Sequence, residues 1–243
     1  GIAMGIRGTD VAKSASDLVL SDDNFASIVG AIEEGRRQYD NIRKSVTYLL
    51  SSNIGETLAV FVSILCGLPL ILIPVQILWI NLVTDSVTAL SLSVEKAEKN
   101  IMQEPPRPIN QTILDKSAFM ILSIYGGYIG LAALVIFIFY LDTSYQLANT
   151  VAFTTLVILS NLLVLNFRSF DRPLYKVGFL ANPYLLLAVI STIGMQLAVV
   201  YTPFLQDILN TVPMAKADWA LILSVSLPLL IASDLYKAFK SKY

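Results

Sequence analysis

One apolar run sets the strongest limit on what this chain can fold into. The 40 residues from Ser45 to Thr84 contain a single charged side chain, Glu56. A helix needs about 20 apolar residues to cross the hydrocarbon core of a membrane, so this run is long enough for two spans. Gly67-Leu68-Pro69 breaks it, because glycine tolerates a turn and proline cannot continue a helix. We therefore predict a transmembrane hairpin with helices at about 45–66 and 73–92.

The remainder of the chain continues this pattern. Further apolar runs predict four more helices, at about 118–141, 149–167, 183–201 and 218–236. Charged residues make up 14% of the chain, against about 25% in soluble domains. The composition predicts an all-α membrane protein with six transmembrane helices. The absence of histidine excludes imidazole-based metal or acid–base chemistry, and the single cysteine excludes an internal disulfide.

Residues 1–44 have a different character. They are polar and mixed, with short strand-like runs at Ile2-Ala3-Met4 and Leu18-Val19-Leu20 and an N-cap cluster, Asp22-Asp23-Asn24, before a helix that starts near Phe25. We interpret them as the end of a soluble α/β domain, too short to form a core alone. The first residue is not Met, and no signal peptide is present, which suggests a piece of a longer chain.

This gives four predicted parts. Residues 1–44 are the end of that soluble domain and its connector, and 45–92 are the hairpin. Residues 93–117, with Pro105-Pro106-Arg107-Pro108, form a cytoplasmic loop, and 118–243 hold four C-terminal transmembrane helices.

The basic residues predict the orientation of the chain in the membrane. Of the 17 Lys and Arg residues, all except Lys216 fall in the N-terminal segment, in the loops after the second and fourth helices, or in the C-terminal tail. Basic residues are enriched on the cytoplasmic side. We expect an integral multi-pass protein with both termini cytoplasmic, in the plasma membrane if prokaryotic. The short basic tail lacks interleaved aromatic residues, so no nucleic-acid partner is expected.

Polar side chains in the hairpin are the candidate functional residues. Asn53 and Glu56 are three apart on the first helix, and Asn81, Thr84 and Asp85 share one face of the second. Together they offer up to about seven oxygen ligands and two negative charges, and hard cations such as Ca²⁺ take about 6–8 oxygens. Soft metals prefer thiolate or imidazole. The set predicts a site for a hard cation.

The competing interpretation is that these residues only hold the two helices together. For Asn53 or Thr84 alone the two interpretations are balanced. Two facing carboxylates, Glu56 and Asp85, are unfavourable in hydrocarbon unless a cation or protons neutralise them. Either form of neutralisation indicates a transport site, and alternation between the two describes cation–proton exchange.

Several motifs resemble a known family. Asn81-Leu82-Val83-Thr84-Asp85 and Ser51-Ser52-Asn53-Ile54-Gly55-Glu56 are similar to the sixth and fifth membrane helices of type II P-type ATPases, the calcium pumps of sarcoplasmic reticulum and bacteria in particular. Asp22-Asp23-Asn24-Phe25 and Glu33-Glu34-Gly35-Arg36 resemble the end of the phosphorylation domain and its connector in these pumps.

The resemblance implies a Ca²⁺-exporting pump that hydrolyses ATP through an aspartyl-phosphate. The six helices would be the fifth to tenth of ten. Their partners would be membrane lipid, the first four helices and the remaining domains, where the Mg²⁺ and ATP sites lie. The family's cation ligands would be Asn53, Glu56, Asn81, Thr84 and Asp85, and no catalytic residue would lie in this segment. The segment alone would not hydrolyse ATP. Manganese is the alternative cation.

One departure from the family pattern concerns the number of ions. Two-calcium pumps carry a glutamate on the eighth helix, where this chain has Ser160. We therefore expect one Ca²⁺ per ATP. Two other functions stay open from the sequence: a passive channel or carrier built on the same hairpin, and a non-catalytic regulatory fragment. An aspartyl-phosphate motif encoded upstream of Gly1 would favour the pump, and a start codon there the fragment.

Overall fold

The computed structural model describes residues 1–98, 100–103, 105–106, 108 and 112–240, with the backbone alone at Ser117 and Lys240. Parts of the predicted loop over 93–117 and three basic residues used for the orientation, Lys99, Arg107 and Lys242, lie outside the described residues. The chain forms two compact units, Gly1–Asp40 with Lys96–Ile109, and Asn41–Glu95 with Asn110–Tyr243.

The first unit begins with a small parallel sheet. Strands β1 (Ile2–Met4) and β2 (Leu18–Leu20) pair in parallel with Ile2 opposite Leu18. Helix α1 (Asp10–Ser14) connects them, as parallel pairing requires a crossover. Thr9 caps α1 by accepting a hydrogen bond from the amide of Ala12. The predicted short strands are therefore present.

A single long helix follows. Helix α2 runs without interruption over Ala26–Leu65, so the two helices predicted to start near Phe25 and near residue 45 are one. No proline lies between Ala26 and Leu65, and the polar residues in the middle are compatible with helix, which explains the continuity. Gly67, at φ +68°, ends the helix in the left-handed conformation that favours glycine.

The second helix of the hairpin is not uniform. Helix α3 (Pro74–Trp79) leads into a π-helical segment (Ile80–Asp85), and helix α4 (Ser86–Leu92) continues to the end of the span. The sequence predicted one helix here and did not predict the π segment within it. Its span is nevertheless close to the predicted 73–92.

The remaining elements follow in order. They are α5 (Lys116–Leu141), α6 (Tyr145–Asn166), α7 (Leu174–Val177), a 3₁₀ turn (Phe179–Ala181), α8 (Pro183–Tyr201), α9 (Pro203–Leu209) and α10 (Lys216–Lys240). Asp115 caps α5 and Asn182 caps α8, each accepting from a backbone amide in the first turn. Pro228 lies inside α10.

Six helices in the described part of the chain are long and apolar enough to cross a membrane, which confirms the predicted all-α membrane fold. The spans are Ala26–Leu65, Pro74–Leu92, Ala118–Leu141, Tyr145–Asn166, Pro183–Tyr201 and Lys216–Phe239. Helix α6 is the central one, because 89% of its most apolar stretch is buried. It packs against α5, α8, α10 and the π segment. The core of the second unit therefore forms around α6.

Candidate cation site

The two helices of the hairpin meet through Glu56 and Asn81. The Nδ2 atom of Asn81 donates a hydrogen bond to Oε2 of Glu56 at 3.0 Å and another to the carbonyl of Ile77 at 3.0 Å. Both donors of the amide group are thereby used, which fixes the amide and leaves its oxygen available. Glu56 is buried, at 4% exposure. The predicted contact between the two polar faces is present at this pair.

Asp85 lies nearby and is fully buried. Its Oδ1 accepts a hydrogen bond from the Tyr48 hydroxyl at 3.1 Å and lies 3.4 Å from the Thr84 hydroxyl. The Thr84 hydroxyl also donates to the carbonyl of Ile80 at 2.7 Å, which leaves the lone pairs of its oxygen free. Oδ2 of Asp85 has no hydrogen-bond partner among the described residues. A buried carboxylate oxygen without a partner is costly and calls for a ligand.

Ser52 joins the two carboxylates to α6. Its hydroxyl lies 3.4 Å from Oε1 of Glu56 and also interacts with the Asp85 carboxylate. The Ser52 and Ser160 hydroxyls are 2.7 Å apart, and both residues are buried. The structure therefore places Ser160 at the edge of the carboxylate pair, as the match to the eighth helix of the pumps implied.

Side-chain hydroxyls account for the π segment. Ser86 donates to the carbonyl of Asn81 at 2.6 Å, and Thr88 lies within hydrogen-bond distance of the carbonyls of Thr84 and Asp85. Such bonds compete with the backbone amides that would otherwise bind these carbonyls in an α-helix. Single π turns are frequent at functional sites, and this one carries Asn81, Thr84 and Asp85. The sequence-based assignment of an α-helical face could not show it.

Helices α2 and α5 approach closely beside the site. A Cβ atom added at Gly130 would lie 2.6 Å from the carbonyl oxygen of Gly55, and one added at Gly126 would lie 2.7 Å from the Ile54 side chain. Small residues allow membrane helices this proximity. The contact fixes α2 one residue before Glu56, so the glycines help to position the carboxylate.

The candidate site has two carboxylates and no positively charged partner among the described residues. In the described part of the chain, neither Glu56 nor Asp85 forms an ion pair; their partners are the neutral groups of Tyr48, Ser52 and Asn81. The described residues also contain no cluster of three or more His, Cys, Asp or Glu side chains. The arrangement thus offers two carboxylates with amide and hydroxyl oxygens, a donor set suited to a hard cation.

The structure brings together four of the five predicted ligands: Glu56, Asn81, Thr84 and Asp85. Asn53 does not join their hydrogen-bonded set. It is half-buried and lines an apolar recess with Leu50, Ile54, Thr57, Leu58, Phe61 and Val62. The sequence analysis missed Tyr48. It lies about one helical turn before Ser52 and two turns before Glu56, so all three share one face of α2. Their role as cation ligands stays a prediction.

Comparison with known proteins identifies the family of the chain. Residues 69–239 match the family described as "Cation transporting ATPase, C-terminus". A calcium-transporting ATPase of Bacillus subtilis is 43% identical over 230 residues, which cover 93% of this chain and 26% of that protein. Calcium-transporting ATPase 1 of Bacillus cereus is 38% identical over 99% of this chain and 29% of its own length.

The similarity extends to eukaryotes. Calcium-transporting ATPase 4, endoplasmic reticulum-type, of Arabidopsis thaliana is 33% identical over 98% of this chain and 28% of its own length. The chain therefore spans only between a quarter and a third of the length of these three relatives. The resemblance to calcium pumps inferred from the motifs is confirmed. With a family match that covers most of its residues, the chain belongs to the cation-transporting P-type ATPases and matches their C-terminal membrane region.

Proposed function

We propose that this chain is the cation-transport segment of an ATP-driven pump that exports Ca²⁺ from the cytoplasm. One observation carries the proposal: the hairpin buries two carboxylates, Glu56 and Asp85, with neutral partners only, and Oδ2 of Asp85 has none among the described residues. Two buried negative charges without compensation are unfavourable. A bound divalent cation removes that cost, and the calcium-pump relatives make Ca²⁺ the first candidate.

The ligands of the proposed site are Glu56, Asn81, Thr84 and Asp85. The Glu56 and Asp85 carboxylates supply the negative charge, while the Asn81 amide oxygen and the Thr84 hydroxyl oxygen complete part of the shell. Asn53 is assigned to the same site on the family resemblance alone, because its side chain lines a separate recess. Ca²⁺ takes about 6–8 oxygens, so further ligands from the rest of the pump are expected.

Counter-transport of protons follows from the same charges. When the cation leaves, the carboxylates stay buried and become protonated, because two adjacent negative charges cannot persist in a low-dielectric interior. We therefore propose Ca²⁺–proton exchange. Ser160, at the edge of the pair, adds a hydroxyl and no third carboxylate, which supports one Ca²⁺ per ATP.

The remaining parts of the pump would supply the energy. We assign residues 1–44 to the end of the phosphorylation domain and its connector, 45–92 to the site hairpin, 93–117 to a cytoplasmic loop and 118–243 to the four supporting helices. The aspartyl-phosphate, ATP and Mg²⁺ sites and the first four helices would lie elsewhere in the full protein. Both termini of this segment are proposed to face the cytoplasm, in the plasma membrane if the source is prokaryotic.

Direct cation binding tests the proposal. The full-length pump is purified in detergent, and equilibrium binding of ⁴⁵Ca²⁺ is measured together with the amount of phosphorylated enzyme. Saturable binding of one Ca²⁺ per phosphorylation site is expected, with a competition series against Mn²⁺ to identify the preferred cation. Two Ca²⁺ per phosphorylation site would contradict the proposed stoichiometry, and no saturable binding of either ion would contradict the function.

A further inference from the structure

The cytoplasmic end of the site-bearing helix is held by side chains from other parts of the bundle. Just after α4, the amide of Asn41 on α2 donates to the carbonyls of Ser93 at 3.0 Å and Glu95 at 2.8 Å. Asn182, the cap of α8, donates to the carbonyl of Ser91 at 3.0 Å. The carbonyls at a helix C-terminus have no partners within the helix, and here other elements supply them.

A buried ion pair completes this arrangement. Arg168, just beyond the end of α6, binds Glu95 with two parallel hydrogen bonds, Nε to Oε2 at 3.0 Å and Nη2 to Oε1 at 2.9 Å. Asn182 adds a bond to Oε2 at 2.9 Å, and Nη1 of Arg168 donates to the carbonyl of Gly178 at 2.9 Å. The side chains of Arg168 and Glu95 are 1% and 4% exposed. Bidentate arginine–carboxylate pairs are strong and geometrically specific.

Each member of this group belongs to an element that lines the cation site or supports one that does. Asn41 is on α2, with Tyr48 and Glu56. Glu95 follows the helix that carries Asp85, and Arg168 follows α6, which carries Ser160. We call Asn41, Glu95, Arg168 and Asn182 the helix-end clamp. It joins the end of α4 to the middle of α2, to the C-terminal end of α6 and to the N-terminal end of α8.

We propose that Glu95, Arg168 and Asn182 are positioning residues that set the cation affinity without touching the cation. This inference rests on the proposed function. The clamp fixes the height and rotation of the Asp85 segment relative to Ser52 and Ser160. A binding site requires its ligands within about 0.5 Å of the productive geometry, and this needs rigid support. Because the clamp holds the cytoplasmic end of α4, we expect conformational changes of the hairpin to occur in the π segment.

The alternative is that the clamp contributes only to folding. Buried ion pairs often do no more than that, since the cost of desolvation offsets their attraction. A folding role lowers the amount or stability of the protein but leaves the affinity of each folded molecule unchanged. A positioning role shifts the cation concentration for half-saturation while the number of sites per folded molecule stays the same. The two roles therefore differ in a measurable way.

Two conservative variants of the full-length pump test the inference. Arg168→Lys keeps the positive charge but loses the planar guanidinium group that donates to both carboxylate oxygens of Glu95. Asn182→Ser keeps a good N-cap residue for α8 but loses the donor to Glu95 and Ser91. Arg172→Lys, in the same loop but partly exposed, is the matched control. Equilibrium ⁴⁵Ca²⁺ binding and Ca²⁺-dependent phosphorylation are measured per folded molecule, with Asp85→Asn in parallel.

We expect both clamp variants to raise the half-saturating Ca²⁺ concentration by about five- to tenfold, with unchanged maximal phosphorylation and an unaffected control. Unchanged half-saturation in the folded variants would overturn the inference. If Arg168→Lys does not fold, Asn182→Ser alone decides. Failure of the proposed function is distinguishable, because Asp85→Asn would then bind Ca²⁺ like the wild type. Loss of binding in Asp85→Asn with unchanged clamp variants would overturn the clamp inference alone.

Discussion

Two sets of buried carboxylates in this protein have opposite surroundings. Glu95 is surrounded by donors: the guanidinium of Arg168 on both oxygens and the amide of Asn182 on one. Glu56 and Asp85 have only neutral partners in the described part of the chain, and Oδ2 of Asp85 has none there. Both sets are almost fully removed from solvent.

The difference lies in whether the protein itself balances the buried charge. A buried charge is tolerated when it is paired and hydrogen-bonded, and Glu95 meets that condition within the protein. The Glu56–Asp85 pair does not within the described part of the chain, so under the proposed function its charge is balanced by the transported cation or by protons. Glu95 resembles Glu56 and Asp85 in residue type and burial, and the balance of charge distinguishes it from the proposed cation site.

The largest effect is expected for Asp85→Asn in the full-length pump. The change removes one of the two unbalanced charges and one oxygen ligand, so Ca²⁺-dependent phosphorylation from ATP should be abolished. The protein should still fold, since the change removes an uncompensated buried charge. Phosphorylation from ATP over a Ca²⁺ series measures the effect, and Asp142→Asn, at the exposed C-terminal end of α5, is the control. Wild-type Ca²⁺ activation in Asp85→Asn would refute the site.

Removing the charge of Glu95, which Arg168 balances, should lower the stability of the protein, whereas removing the charge of Asp85 should not. Glu95→Gln leaves the guanidinium of Arg168 buried without a counter-charge, which costs about 3–5 kcal/mol of stability. We expect a marked drop in the thermal unfolding temperature of the purified pump and in its yield. Asp85→Asn, measured beside it, should show no such drop. Equal stability of the Glu95→Gln variant and the wild type would show that the protein does not depend on the charge balance between Glu95 and Arg168.

A smaller effect on Ca²⁺ binding is expected when Asp85 loses its neutral hydrogen-bond partner Tyr48. Tyr48→Phe deletes the hydroxyl that donates to Oδ1 of Asp85 at 3.1 Å. Hydrogen bonds to charged groups contribute about 1.5–3 kcal/mol, so the ionised carboxylate that binds the cation becomes less favourable. The half-saturating Ca²⁺ concentration should rise at least about tenfold, since about 1.4 kcal/mol corresponds to a factor of ten.

Tyr125→Phe is the matched control for this variant. Its hydroxyl lies 2.7 Å from that of Ser233 on α10 and contributes nothing to the carboxylate pair. Equilibrium ⁴⁵Ca²⁺ binding compares the two variants. The same affinity in Tyr48→Phe as in Tyr125→Phe would show that the Asp85 carboxylate does not depend on its hydroxyl partner.

Much of the fold and part of the candidate site follow from local sequence patterns. The apolar runs predicted the six spans, and helical spacing predicted that Asn53 and Glu56 share one face of the first helix, because both patterns depend on neighbours along the chain. The π segment was not predictable in this way, since it depends on hydroxyls such as Ser86 that compete for particular backbone carbonyls. The Glu95–Arg168 pair joins residues 73 positions apart, and no periodic pattern indicates such a contact.

The smallest effect concerns a carboxylate in the N-terminal unit, outside the membrane spans. The backbone amide of Ile6 donates to Asp23 at 2.8 Å, and the amide and guanidinium of Arg7 donate to it as well, so the pKa of Asp23 lies below its usual value. A lowered pKa means that the carboxylate stabilises the fold above the unfolded pKa of about 3.9. That contribution is lost as the pH falls through the folded value.

Hydrogen exchange of the Ile6 and Arg7 amides measures this loss. We expect their protection to fall in the wild type as the pH drops through the lowered pKa of Asp23. Protection should be low at every pH in Asp23→Asn, which removes the charge. The amide of Ala12 is the internal control, because it is bonded to the neutral hydroxyl of Thr9. Parallel loss of protection at Ala12 would mean that the whole N-terminal unit opens. A local loss would identify Asp23 as a carboxylate balanced by backbone donors, a third case beside Glu95 and the cation site.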